Sequence, residues 1–141
     1  MIAIKDRVRF VETDMMGVVH HSNYLRWFEM ARVEYLRRAN VLLPELISAG
    51  ILFPITEVHC KYIQSARFDE IIRIEVNLAE FSRVKLCFRY RVLSDERDAL
   101  LAEGSTQNVF TGNNGRIVRL PQIYHDRIAA VWQAKDGGIT G

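Results

Sequence analysis

Apolar and polar residues change period twice along the chain. Ile4, Arg7, Val8, Arg9, Phe10 and Val11 open it as an interrupted strand. Thr13-Asp14-Met15-Met16-Gly17 then breaks the pattern, as a turn does. Ser22 and Asn23 are favourable N-cap residues. Behind them Tyr24, Phe28, Ala31 and Tyr35 recur at helical spacing, and Leu25 and Leu36 widen the stripe. The spacing predicts a long helix to Ala39, with Glu34 and Arg38 as a favourable i,i+4 pair on its outer face. Pro44 to Ala49 predicts a short second helix, with Pro44 near its first turn and Gly50 after its end.

After Gly50 the period becomes two. Phe53 to Ile63 carries Val58, Cys60 and Tyr62 on one face. Ile72, Ile74, Val76 and Leu78 alternate with Arg73, Glu75 and Asn77, and Val84 to Val92 alternates just as regularly with Lys85, Cys87, Arg89 and Arg91. A polar turn, Asp95 to Asp98, leads into a strand from Leu100 to Phe110, in which Gly104 marks a bulge or a close approach. Gly112-Asn113-Asn114-Gly115 predicts a turn into a short strand, Arg116 to Leu120. Pro121 opens a closing helix to about Trp132. Consecutive strands joined by short turns imply a largely antiparallel sheet. One long helix has that one sheet to pack on, so the class is α+β. Ile71, Cys87, Leu93, Leu101 and Val109 fall on the other sheet face, where a partner subunit would cover some of them. Residues 1–134 are read as one domain, and 135–141 as a frayed tail.

Composition narrows the function classes. A chain of 141 residues is one domain, long enough to bury roughly two-thirds of its surface without metals or disulfides. Net charge is +2, which does not favour a nucleic-acid surface. Cys60 and Cys87 cannot build a disulfide framework and fit a reducing cytoplasm. No run of about 18 apolar residues predicts a transmembrane segment, and Met1 to Phe10 lacks an apolar signal-peptide core.

Chemistry concentrates in Glu12 to Tyr24. Asp14 stands in a turn beside Met15, Met16, Val18 and Val19, and a carboxylate partly desolvated there gains strength as a general base. Gly17 permits a backbone shape other residues resist. The start of the long helix presents unpaired N–H groups able to stabilise an oxyanion. The same Asp also suits a plain turn or cap. His20 and His21 are adjacent and lack the i,i+4 spacing of a zinc pair, so no metal site is expected. Cys60 and Cys87 read as inert core or interface thiols. Ser22 lacks the context of a nucleophilic serine. Arg83, Lys85, Arg89 and Arg91 form either a solvated strand face or a docking patch for ligand phosphates.

The stretch from Val11 to Leu25, V-E-T-D-M-M-G-V-V-H-H-S-N-Y-L, followed by Phe28-Glu29-Met30-Ala31-Arg32, resembles the signature of hot-dog-fold acyl-CoA thioesterases. The likeness is to the 4-hydroxybenzoyl-CoA thioesterase-like group and its YbgC-type members. It extends to Tyr62–Asp69 and to Gly115–Pro121. The resemblance implies a long helix wrapped by a curved antiparallel sheet, assembled as a homodimer or homotetramer with the site at a subunit interface. It implies hydrolysis of an acyl-CoA substrate to a free carboxylic acid and CoA, with CoA part of the substrate and no metal or other cofactor. Asp14 would be base or nucleophile, and the N–H of His21 the oxyanion donor. Gly17, His20, Ser22, Asn23 and Tyr24 complete the motif as substrate contacts, and Arg83 and Lys85 would hold CoA phosphates. His20 stands where many members have Tyr. Phe10, Met15, Met16, Tyr24, Phe53 and Phe68 are candidates to line the acyl pocket. A hydratase or dehydratase of the same fold, or a non-catalytic acyl-CoA-binding module, remain alternatives at this stage.

Overall fold

The computed structural model describes residues 1–135. Strands β1 (Ile2–Arg7), β2 (Ile55–Tyr62), β3 (Ile71–Phe81), β4 (Lys85–Ser94) and β5 (Ala99–Val109) form one sheet in the order β1-β3-β4-β5-β2. Every pairing is antiparallel. Helix α1 (Ser22–Arg38) packs on one face of that sheet, α2 (Leu43–Ser48) follows it, and α3 (Gln122–Lys135) closes the described chain. This is the α+β, hot-dog arrangement expected from the sequence.

The core forms where the two periodicities meet. Tyr24, Trp27, Phe28, Ala31, Tyr35 and Leu36 make the buried side of α1. They meet Ile72, Ile74, Val76 and Leu78 of β3 and Leu86, Phe88, Tyr90 and Val92 of β4, all buried. Phe28 stacks on Tyr90 with ring centroids 4.3 Å apart, and Tyr35 meets Phe88 edge-on at 5.4 Å. The Glu34–Arg38 ion pair forms at 2.9 Å. Gly104 is a point of close approach rather than a bulge. It pairs in register with Cys60 and Tyr90. A Cβ there would lie 2.7 Å from Phe28 Cε2 and would also strike the His59 carbonyl oxygen.

Several elements differ from the sequence expectation. β1 ends at Arg7, because the Val8 N–H turns to Glu70 O (2.9 Å) and the Glu12 carboxylate captures the Arg9 N–H (2.6 Å). Phe10–Glu12 consequently winds into a 3-10 turn, with Phe10 and Val11 exposed. β2 forms no hairpin with β3: it crosses to the far edge and pairs with β5. Arg116–Leu120 is not a strand. A single Thr111–Ile117 bridge is all that pairs, and Ile117 is exposed. Leu93 and Leu101 are buried within the chain, where the β4–β5 register shifts between Val92 and Leu93. Of the expected tail, Lys135 ends α3, and residues 136–141 lie outside the described ones.

The turn between β2 and β3 supports the segment that leads into α1. Val19 donates its N–H to Ala66 O (2.9 Å) and Phe68 donates to Gly17 O (3.5 Å). That turn is held by buried Glu70, which accepts hydrogen bonds from Ser94 Oγ (2.5 Å), Arg97 Nε (2.6 Å), Arg97 Nη2 (2.9 Å) and the Arg67 N–H (3.1 Å). Burial pushes the Glu70 carboxyl up, but the Arg97 and Ser94 donors outweigh it and hold it below the ordinary glutamate value.

Two predictions follow from these contacts. Gly104→Ala should lower the unfolding free energy by about 1–3 kcal/mol, the usual cost of overpacking a core, as read by denaturant titration. The stability that Glu70 contributes is fully present above the ordinary glutamate range and fades as pH falls through it towards the lowered folded value. Melting curves of the parent and Glu70→Gln should therefore lie furthest apart near neutrality and converge on acidification.

Candidate active site

The segment from Thr13 to His21 joins the 3-10 turn to α1. Its first half is a tight turn. Asp14 donates its N–H to Val18 O (2.9 Å), Gly17 donates to Asp14 O (3.1 Å), and Thr13 bridges Val19. Gly17 takes φ +78°, the left-handed conformation that favours glycine. Asp14 Oδ1 accepts the Met16 N–H at 2.8 Å, so the turn fixes the direction of the carboxylate. Asp14 is exposed and makes no ion pair among the described residues. Met15 and Met16 are exposed as well, and within one chain they do not cover it. The expected desolvation of Asp14 is thus not supplied by its own chain.

The second half is pinned from below. His20 donates its N–H to Glu12 O (2.9 Å), and Asn23 Nδ2 donates to the same oxygen (3.0 Å) and to His20 O (3.3 Å). The N-cap of α1 is His21, without a side-chain cap, where Ser22 and Asn23 were the expected caps. The His21 N–H has no acceptor among the described residues. It therefore remains a free donor at the positive end of a 17-residue helix. The His21 carbonyl is held by Tyr62 Oη (3.1 Å), which ties the helix start to the end of β2. Burial first, then contact with Cys60, pushes the Tyr62 phenol up to about 12, so it stays a neutral donor.

The remaining candidates divide by what occupies them. His20 Nδ1 lies 2.8 Å from Ser22 Oγ, and the two imidazole rings stand 4.2 Å apart. Both histidines and Ser22 are exposed beside Asp14's turn. Tyr24 is buried, and its hydroxyl accepts the Ala66 N–H at 3.1 Å. The Asn23 amide is taken up with backbone carbonyls and, through Oδ1, with Arg26 Nη1 at 2.8 Å. Arg83 directs Nε and Nη2 to Leu120 O at 3.0 and 2.8 Å. Lys85 faces Glu80 at 3.7 Å. Phe10 and Phe68 meet edge-on at 5.6 Å on the surface, whereas Phe53 stacks on Phe110, so the six candidate pocket residues do not converge in one chain. Burial pushes both cysteine thiols up, which keeps them unreactive. The largest cavity described, about 590 Å³, lies on the outer sheet face among His59, Lys61, Arg89, Arg91 and Glu103, not at Asp14.

Glu12 has a role the sequence reading did not assign. It is 1% exposed, and its Oε2 accepts Trp27 Nε1 at 3.2 Å and faces Arg26 Nη1 at 3.4 Å. The available signal was its place three residues after Arg9, the spacing at which a glutamate reaches back to a free N–H.

Comparison with known proteins identifies the family. A family model described as the thioesterase-like superfamily matches residues 8–131. The acyl-CoA thioesterase YbgC of Haemophilus influenzae is 30% identical over 112 residues, covering 79% of this chain and 80% of that protein. Among solved structures, the TT1821 protein of Thermus thermophilus is 36% identical with a TM-score of 0.85, covering 92% of this chain and 98% of that one. The DHNA-CoA thioesterase of Staphylococcus aureus is 26% identical with a TM-score of 0.88, covering 96% and 93%. The family model spans residues 8–131 and these relatives share the fold over most of their length: the chain belongs to the thioesterase-like superfamily.

Proposed function

We propose that this protein hydrolyses acyl-CoA thioesters to a free carboxylic acid and CoA. The observation that carries the reading is that one pinned segment presents both an exposed carboxylate and a free N–H donor. Asp14 offers a carboxylate without an ion partner, and His21 offers an N–H without an acceptor. The sequence likeness to proteins named acyl-CoA thioesterases supports the choice of CoA as the thiol carrier.

In the proposed reaction a water oxygen attacks the thioester carbonyl carbon while Asp14 takes the water's proton. The carbonyl oxygen becomes an oxyanion and accepts a hydrogen bond from His21 N–H. The C–S bond then breaks, CoA leaves as the thiolate, and the proton held by Asp14 passes to sulfur. In the nucleophilic variant, Asp14 first forms a C–O bond to the carbonyl carbon, the C–S bond breaks and CoA leaves as the thiolate; water then hydrolyses the resulting anhydride and its released proton passes to the thiolate. Gly17 shapes the turn, the exposed His20 and Ser22 frame the substrate beside it, and Asn23 and the buried Tyr24 brace the helix start from behind. The exposed Met15, Met16, Phe10 and Phe68 would be covered by the acyl group and a second subunit.

The proposed assembly is a homodimer or a dimer of dimers. β2 pairs on one side with β5, and Ile55, Val58 and Tyr62 along it are exposed. Such an edge is a template for a further strand. The proposed compartment is the cytoplasm, in keeping with two free cysteines. Among the described residues, no helix is long and apolar enough to cross a membrane. CoA phosphates are assigned to Lys85, with Arg83 beside it already bound to a carbonyl.

Asp14→Asn should reduce acyl-CoA turnover by about 10²-fold or more, in line with loss of a general base, with an unchanged melting temperature. Release of CoA thiol, followed by a thiol-trapping dye, is the measurement, and parental turnover in this variant would refute the reading. A single turnover in ¹⁸O-water reports the nucleophilic route when water attacks Cγ of the anhydride, because the label then enters the Asp14 carboxylate and the released acid carries an unlabelled Asp14 oxygen. Lys85→Ala should raise KM several-fold with little change in kcat, the signature of lost uniform binding.

A further inference from the structure

Arg32 lies on the buried side of α1 and is 6% exposed. A buried guanidinium ordinarily faces a carboxylate, because an unpaired charge out of water carries a large desolvation penalty. Here Nη1 donates to Tyr90 Oη at 3.1 Å, and that hydroxyl meets Thr106 Oγ1 at 2.6 Å. Both partners are neutral. Among the described residues, Arg32 has no acidic partner within ion-pair distance.

Arg32 lines a partly open pocket of about 160 Å³ between α1, α2 and the segment before β2. Val33, Leu46, Ile51 and Phe53 supply apolar walls, and Glu29 lies in the same wall. The walls are thus mostly apolar, with one cation that has no carboxylate within ion-pair distance among the described residues. That is the chemistry of a carboxylate carrying a short hydrocarbon tail. An apolar cavity of about 150 Å³ holds benzene, a molecule of six non-hydrogen atoms, and butyrate has the same number.

We propose that this cavity binds a short aliphatic monocarboxylate through a charge-assisted hydrogen bond to Arg32. Arg32 lies ten residues beyond Ser22, roughly 15 Å along the helix at 1.5 Å per residue. The ligand therefore sits away from the His21 amide of the same chain. Free acids are the product class of the proposed reaction, but binding here does not depend on that reaction taking place.

The test is calorimetric titration of the full-length protein with sodium butyrate, using butyramide as the uncharged isostere and sodium chloride as the ionic control. Butyrate should bind, butyramide and chloride should not, and Arg32→Met should weaken butyrate binding by about tenfold or more. Val33→Phe, which fills the apolar part and leaves the guanidinium in place, should also abolish binding, and it keeps the test open if Arg32→Met fails to fold. Asp14→Asn should bind butyrate as the parent does. The proposal is overturned if the parent binds no butyrate, as it would if a second copy of the chain filled the cavity. It is equally overturned if butyramide binds as well as butyrate, or if Asp14→Asn alone removes binding, which would place the acid at the thioester site.

Discussion

The buried carboxylate of Glu12 is the constraint on which the site depends. Its side chain accepts the Arg9 N–H and Trp27 Nε1, and its backbone oxygen accepts the His20 N–H and the Asn23 amide. One residue therefore fastens the 3-10 turn, the end of the loop and the first two turns of α1 to one another. A carboxylate removed from water is stable only while its donors stay in place. Losing one partner from such a buried set costs about 1–3 kcal/mol, so the loop has little freedom to swing apart from the helix. Asp14 and the His21 amide share this anchor, although neither touches it.

Rigidity below is combined with openness above. The turn aims the Asp14 carboxylate through the Met16 N–H, yet leaves it in solvent beside two exposed methionines. Any low-dielectric cover for that carboxylate has to come from outside this chain. The outer sheet face is different, since its charges largely neutralise one another. Arg91 and Arg73 both meet Glu75, Arg73 also meets Asp95, and Arg83 is turned to a carbonyl. A row of basic residues in the sequence thus becomes, in three dimensions, a set of mostly committed side chains.

The α+β class, the long helix and the main strands were legible because periodicity reports which face is buried, and that face is set by one sheet and one helix. Gly104 was legible for a related reason, since a glycine inside an alternating strand marks a backbone that something must approach. The turn around Asp14 and Gly17 was legible from residue chemistry. Other features were not. The crossing of β2 to the far edge leaves no mark on its own alternation, because an edge strand and a central one can carry the same pattern. The end of β1 depended on Glu12 reaching back to Arg9, a contact that competes with strand pairing only once Glu12 is buried. Arg32 enters the sequence reading only as the last residue of the Phe28–Arg32 motif. Its burial follows from α2 and the segment before β2 closing over that side of α1, a tertiary effect that helical spacing does not encode.

The site loop rests on Ala66 and Gly17 contacts to the β2–β3 turn, that turn rests on Glu70, and Glu70 rests on Arg97. Residues near the start of the chain thus wait for residues more than eighty positions later. β1 likewise finds its partner only when β3 exists, some seventy residues on. Closing such long loops is entropically slow compared with forming α1. During synthesis the helix can exist early, while the segment bearing Asp14 has nothing to lean on until most of the chain has emerged. The turn that bears Asp14 is consequently among the last parts of this molecule to acquire its shape, and that shape requires nearly the whole domain to have folded first.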